Sequence, residues 1–277
     1  MTRPAQLMPA LLAMLASGAA VTAHARGDPR LEVELALGIS GSTELRTVIM
    51  TSPLLTLSAP VTAETAFVAQ WGFTIASGEP SSEALDATYF ATGNPLIGWS
   101  ILFFQGFTLT PSLTLPIARR PEGDAARAAS EFAFKGGLGL RGAVDPWLWV
   151  PDQISFVLPL AYVKWFDPIL FEAHLKLGFL SPTNDADSDS DFVFQWKARV
   201  AAHLGGGFWL AAGITGVYTP TDTVDNFQSA LSPELRYVIS PGSHLELSLL
   251  MNLDTPYGPF SEPGKFWAVH IGGSAPL

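Results

Sequence analysis

The feature that most restricts the fold of this chain is an alternation of apolar and ionisable side chains along strand-length segments. Over residues 169–179 every odd position is apolar, whereas Glu172, His174 and Lys176 occupy even positions. Successive side chains of a strand point to opposite faces, so this segment has one apolar face and one ionisable face. The same period of two recurs over 31–39, 192–204, 234–239 and 243–253. The pattern predicts an all-β protein.

Strand-like segments number about 12, within a range of about 10–14, and turn sequences rich in Gly and Pro separate them. The candidates before residue 165 include 66–76, 97–104, 107–115, 132–141 and 154–163. A strand of about 10 residues spans a bilayer when it is tilted by about 45°. We therefore expect a transmembrane antiparallel up-and-down β-barrel of about 12 strands, with short periplasmic turns and longer outer loops.

A soluble barrel alternates with the same period, but it presents its polar face to water. The membrane version is favoured because the chain has five Lys, too few for a water-exposed face of this size. The polar face also mixes acids with bases, which can pair across strands in a lumen. Aromatic residues at predicted strand ends are typical of interfacial girdles. They are Trp165, Phe166, Phe171, Phe179, Phe192, Trp209, Tyr218, Tyr237, Phe266 and Trp267.

Residues 1–25 have the layout of a signal peptide. Arg3 precedes an uncharged apolar stretch at 10–21, and small residues at positions 23 and 25 suit a cleavage site. The apolar stretch is too short to remain as a membrane-spanning helix. We expect this segment to be removed and residues 26–277 to form one barrel domain in the outer membrane.

Strand parity predicts which polar side chains line the lumen. These residues form the predicted solute path: Glu172, His174, Lys176, Gln195, Lys197, Arg199, His203, Glu234, Arg236 and Glu246.

Connection lengths orient the barrel only in its C-terminal half. Short links at 164–168 and 205–207 alternate with long ones at 180–191 and 219–232, and long links belong outside. The same alternation makes the aromatic segment 142–152 an outer loop.

Further upstream, the alternation makes the long segments 116–131 and 77–96 periplasmic, which contradicts the rule that periplasmic links are short. Two explanations stay open. Either a strand is missed or split, or a helical turn at 125–130 lies on the inner side or plugs the lumen.

Composition and motifs exclude several classes of function. The net charge of −10 does not suit a nucleic-acid binder, and the absence of Cys removes thiolate metal sites and a Cys nucleophile. No Gly-x-Ser-x-Gly turn and no Ser-Asn partner accompany His174, His203 or His244. We expect no enzyme, no metal and no cofactor.

The middle of the chain resembles a known family of barrels. Gly93-Asn94-Pro95, a hairpin through Gln105-Gly106 and the strand end Leu113-Thr114-Leu115-Pro116 are similar to outer-membrane proteins of the MetA-pathway-of-phenol-degradation family. The resemblance covers about a quarter of the chain by motif. It implies a transporter for small hydrophobic or aromatic compounds.

The leading hypothesis is a passive channel for a small solute, with outer-membrane lipid as its surroundings and no nucleic-acid partner. A non-conducting structural or surface-interaction barrel is the alternative, and an outer-membrane lipid hydrolase is the least favoured. The sequence leaves the solute and the oligomeric state open.

Overall fold

In the part of the chain that the structure describes there are fourteen β-segments and one long α-helix. The computed structural model describes residues 28–40, 48–78, 87–104, 106–120, 123–183, 190–220, 226–240, 242–254 and 266–277. The predicted signal peptide, 1–25, lies outside this description. The strands are β1 (Arg30–Ser40), β2 (Val48–Pro60), β3 (Thr65–Gly78), β4 (Ala87–Thr92), β5 (Leu96–Phe104), β6 (Phe107–Leu109), β7 (Ser112–Thr114), β8 (Gln153–Phe166), β9 (Ile169–Pro182), β10 (Asp191–Gly205), β11 (Phe208–Tyr218), β12 (Phe227–Ser240), β13 (Ser243–Asn252) and β14 (Phe266–Pro276). The helix α1 is Asp124–Gly139.

These segments close into a ring of twelve antiparallel strands, as the alternation predicted. β4 and β5 both pair with β3 and together act as one strand of the ring. β6 and β7 both pair with β5 and β8 and act as another. β1 pairs with β14 along its whole length, which closes the ring and leaves no open sheet edge.

The break between β4 and β5 is made by the Gly-Asn-Pro sequence. Asn94 is fully buried, and its side-chain amide donates to the backbone carbonyls of Val150, at 2.7 Å, and Trp147. Its side-chain oxygen accepts from the backbone N–H of Ala118 at 2.9 Å. The motif therefore ties the wall to the long segment that separates β7 from β8.

The two faces of the wall differ as the sequence predicted. On β9, Glu172, His174 and Lys176 are buried inside the ring, while Leu175 and Leu177 are 45% and 40% exposed outside. Leu and Phe side chains are exposed on the outer face of other strands as well. Examples are Phe156, Leu210, Leu235, Leu245 and Leu247. The barrel is apolar outside and polar inside, the arrangement of a membrane barrel.

The predicted aromatic girdle is only partly external. Phe166 and Phe208 are exposed on the outer face near the short-turn end. Trp165 and Trp209 instead point inwards, where their rings lie 5.3 Å apart and narrow the lumen. They occupy inward positions of β8 and β11, so strand parity overrides the preference of Trp for the interface.

The predicted strand 132–141 is wrong, because this segment belongs to α1 and its C-terminal turn. With it removed, the links alternate in length along the whole chain. Short turns join β2 to β3, β5 to β6, β8 to β9, β10 to β11 and β12 to β13 at one end of the barrel. The strand ends that the long links join then all lie at the other end of the barrel, where the rule for outer-membrane barrels puts the outer loops.

The segment between β7 and β8 is one long insertion, and it folds back into the barrel. The expectation that 142–152 forms an outer loop is therefore wrong in position, since Trp147 and Trp149 are each 1% exposed inside the ring. Both open explanations apply in part: a helix that enters the barrel accounts for 116–131, and a missed strand, β4, lies within 77–96. We call residues 116–152 the plug. Within the described ranges, no helix is both long and apolar enough to cross a bilayer.

Candidate functional site: the barrel lumen

The plug is held by two indole rings that fit against glycines of the wall. A Cβ atom at Gly178 of β9 would lie 2.8 Å from the ring of Trp147. A Cβ atom at Gly72 of β3 would lie 2.5 Å from the ring of Trp149. Both distances are too short for a side chain, so glycine at these inward positions makes the space that the indoles fill.

Polar contacts fix the plug to the opposite sides of the wall. Arg141 pairs with Glu34 of β1 at 2.7 Å and donates to the carbonyl of Ser52 at 2.8 Å. Asp145 accepts from the ammonium group of Lys176 at 2.6 Å, and its backbone N–H donates to Gln195 at 2.9 Å.

The end of α1 adds two further contacts. Asn252 of β13 donates to the carbonyl of Gly139 at 2.9 Å, and His270 of β14 lies 2.7 Å from the carbonyl of Leu140. The carbonyls that a helix leaves without partners at its C-terminus are thus bound by the wall. Plug and wall are joined by contacts on both sides of the ring.

Replacing Trp147 by Ala tests how the plug is held. The substitution leaves a cavity beside Gly178 and is expected to cost about 3–5 kcal/mol of packing free energy. The hydrogen bonds between the barrel strands remain, so the loss of packing free energy destabilises the plug alone. The plug should therefore open locally and become cleavable by protease. Cleavage within 116–152 at wild-type rates, with the barrel still folded on a heat-modifiability gel, would contradict this role for Trp147.

On the short-turn side of the plug, five side chains form a continuous array of ion pairs, which we call the charge ladder: Glu172, Arg199, Glu234, Arg236 and Glu246. Arg199 donates to Glu172 at 2.9 Å and makes two bonds to Glu234, one of them from Nε at 3.0 Å. Arg236 joins Glu234 at 3.1 Å to Glu246 at 2.6 Å.

Strand register explains this array. Arg199 lies directly opposite Glu172 in the β9–β10 pair, and Arg236 lies directly opposite Glu246 in the β12–β13 pair. Side chains in such cross-strand positions are within contact distance of each other. Every member occupies an inward position, so four of the five consecutive strands β9–β13 supply one connected network. Arg199 of β10 reaches Glu234 of β12 across β11, which supplies none of the five side chains.

The remaining predicted solute-path residues occupy three places. Lys176 and Gln195 contact the plug, as described. His174 and Lys197 are cross-strand neighbours that border the cavity beneath it. His203 lies at the short-turn mouth, where its exposed ring stacks on Trp209 at 4.6 Å.

Several lumen residues were missed by the prediction. Glu32 and Glu34 face inwards from β1, and His270 faces inwards from β14, at 2.9 Å from Glu34. Parity along 31–39 already assigned both Glu residues to the polar face, and this signal was sufficient to include them. Arg141 and Asp145 gave no such signal, because they lie on the plug.

A cavity of about 130 Å³ lies between the plug and the charge ladder. Most of its lining residues are polar or charged, among them Glu32, His174, Lys197, Glu246 and Gln70, and apolar side chains such as Leu54 and Leu250 complete the lining. A water molecule needs about 10–15 Å³ of such a cavity, so this cavity has room for several waters or one small polar solute.

One Ser–His contact occurs near the short-turn mouth. Ser274 Oγ lies 2.8 Å from His244 Nδ1, and it also donates to the carbonyl of Gly242 at 3.1 Å. A hydroxyl has one proton, so a Ser274 that donates to Gly242 accepts from the imidazole. The imidazole is then not placed to activate this hydroxyl. In the described part of the chain, no group of three metal-ligating side chains comes together.

Solved structures match this architecture. An outer membrane channel from Pseudomonas putida F1 superposes with a TM-score of 0.63 at 12% identity, covering 92% of this chain and 98% of that one. The translocator domain of the autotransporter NalP from Neisseria meningitidis superposes with a TM-score of 0.56 at 10% identity, covering 99% of this chain and 95% of that one. The NanC porin superposes with a TM-score of 0.52 at 11% identity, covering 88% of this chain and 100% of that one. At these identities the likeness shows a shared barrel fold. No protein-family model and no curated protein matches the sequence.

Proposed function

We propose that this protein is a passive outer-membrane channel for a small solute, and that the plug and the charge ladder restrict what passes. The observation that carries the proposal is the polar lumen, in which a cavity lies beneath an insertion held by side-chain contacts. The match in fold to an outer membrane channel and to a porin supports it. The apolar outer face supports the location, because it suits contact with lipid.

The lumen acts on a solute through fixed charges and size. A solute in the cavity meets carboxylates from β1 and β13 and basic groups from β9 and β10. These groups replace part of its hydration shell, so no cofactor is needed for passage. The resemblance to phenol-degradation barrels implies a hydrophobic or aromatic solute, whereas the lining favours one that carries polar groups.

The channel is tested by ion conductance in planar lipid bilayers. Lys197→Gln removes a positive charge that borders the cavity and should shift selectivity from Cl⁻ towards K⁺. At about 6 Å in a water-like medium one charge contributes about 0.7 kcal/mol, which corresponds to roughly a threefold change in the permeability ratio. The shift should shrink in 1 M salt, because screening is stronger there.

Lys164→Gln is the matched control, because Lys164 is exposed on the outer face of β8, where its ammonium lies over the ring of Phe166. It should leave selectivity unchanged. Wild-type protein that inserts into the bilayer and carries no current would refute the channel and favour the structural barrel.

A further inference from the structure

Charges of opposite sign border the cavity from opposite walls. Glu32 and Glu34 lie on β1, and His174 and Lys176 lie on β9, with Lys197 beside them on β10. In the ring of twelve strands, β1 and β9 are six strands apart whichever way the ring is followed. An acidic wall therefore faces a basic wall across the lumen.

Most of these charges are already neutralised by partners. Glu34 binds Arg141 and His270, Lys176 binds Asp145, and the cavity-facing carboxylates of the charge ladder bind Arg199 and Arg236. These ion pairs join the plug to the wall or join strands of the wall to one another.

Two charges differ from the rest. Among the residues that the structure describes, neither Glu32 nor Lys197 makes a hydrogen bond or an ion pair, and both line the cavity. Next to Lys197, His174 is 4% exposed, and its Nε2 atom is buried without a hydrogen-bond partner in the described chain. One unpaired acid and one unpaired base, with a buried imidazole nitrogen, thus share one space.

We propose that this cavity is a binding site for a small zwitterionic solute, whose ammonium group lies at Glu32 and whose carboxylate lies at Lys197 and His174. This inference rests on the proposed channel function, since it names the class of solute for the same lumen. A simple cation satisfies Glu32 alone, and a simple anion satisfies Lys197 alone. An uncharged apolar solute leaves both charges without a partner in a space from which it has displaced water. A solute with both charges satisfies both walls.

Binding can be measured by titration calorimetry on the full-length, detergent-solubilised barrel with 4-aminobutanoate. Butanoate and butylammonium are the matched probes that carry one charge each, and butan-1-ol carries none. Since a hydrogen bond to a charged group contributes roughly tenfold or more to affinity, each single-charge probe should bind at least about tenfold more weakly than the zwitterion. The alcohol should bind more weakly still.

The variants Glu32→Gln and Lys197→Gln should each weaken 4-aminobutanoate binding about tenfold. Glu32→Gln should leave butanoate binding unchanged, and Lys197→Gln should leave butylammonium binding unchanged. Lys164→Gln, on the outer face, should have no effect on any probe. A heat-modifiability gel shows that each variant is folded. Equal binding of all four probes, or variants that bind like the wild type, would overturn the proposal.

Liposome swelling separates this inference from the channel itself. Faster entry of 4-aminobutanoate than of uncharged glycerol supports both. Entry of glycerol without calorimetric preference for the zwitterion keeps the channel and refutes the site. Zwitterion binding in micelles without entry of any solute keeps the site and refutes the channel.

Discussion

A barrel in which residues 117–152 are replaced by an Asn-Gly turn should conduct ions several-fold better than the wild type. The insertion can be removed without breaking the wall, because its two ends are already neighbours. Leu113 of β7 lies opposite Phe156 of β8, and the backbone N–H of Ser155 donates to Thr114 at 2.8 Å. A two-residue turn of this kind joins adjacent antiparallel strands.

The increase follows from what the plug occupies. It fills the space in front of Gly72 and Gly178 and contacts β1, β9, β10, β13 and β14. Its removal leaves a lumen restricted mainly by the charge ladder, which lies nearer the short-turn end.

Planar-bilayer recordings of single channels give the measurement, and a heat-modifiability gel checks that the shortened barrel is folded. Trp147→Ala is the matched comparison, because it loosens the plug without shortening the chain, and it should give brief openings of intermediate size. A shortened, folded barrel with wild-type conductance would show that the plug does not limit the path.

Strand parity allowed the barrel and most of its inner face to be predicted from the sequence. A period of two fixes which side chains share a face, and the small number of Lys together with the mixture of acids and bases on the polar face then favours an ionisable face inside. The same rule could not show which acid binds which base. Arg199 finds Glu172 through strand register, but Arg141 and Glu34 are 107 residues apart and meet only because the plug enters the lumen.

The first part of the plug helix, 125–130, was one of two explanations left open by the sequence, but its continuation to Gly139 could not be predicted because local preferences oppose it. Gly136, Gly137 and Gly139 are poor helix formers, and the alternation around Phe132 and Phe134 is typical of a strand. Packing overrides these preferences. A Cβ atom at Gly136 would clash with the side chain of Met50, so glycine lets the helix approach the wall closely.

Replacing Arg199 by Met should lower the free energy of unfolding by about 3–5 kcal/mol, because it leaves buried carboxylates without their cation. The side chains of Arg199 and Glu172 are each 1% exposed. Glu234 keeps its ion pair with Arg236 at 3.1 Å, so Glu172 is the carboxylate whose ion pairing is reduced most. The double variant Arg199→Met with Glu172→Gln should therefore recover a large part of the loss.

Denaturant unfolding of the barrel in micelles provides the measurement, with Lys164→Met on the outer face as the control for loss of one positive charge. The two outcomes have different consequences for the lumen. A large loss in the single variant, with recovery in the double variant, means that the charge ladder is dry and that solutes must pass beside it. A loss below about 1 kcal/mol, typical of solvated ion pairs, would contradict a desolvated ladder. Water would then reach these charges, and the path for ions would run through the ladder itself.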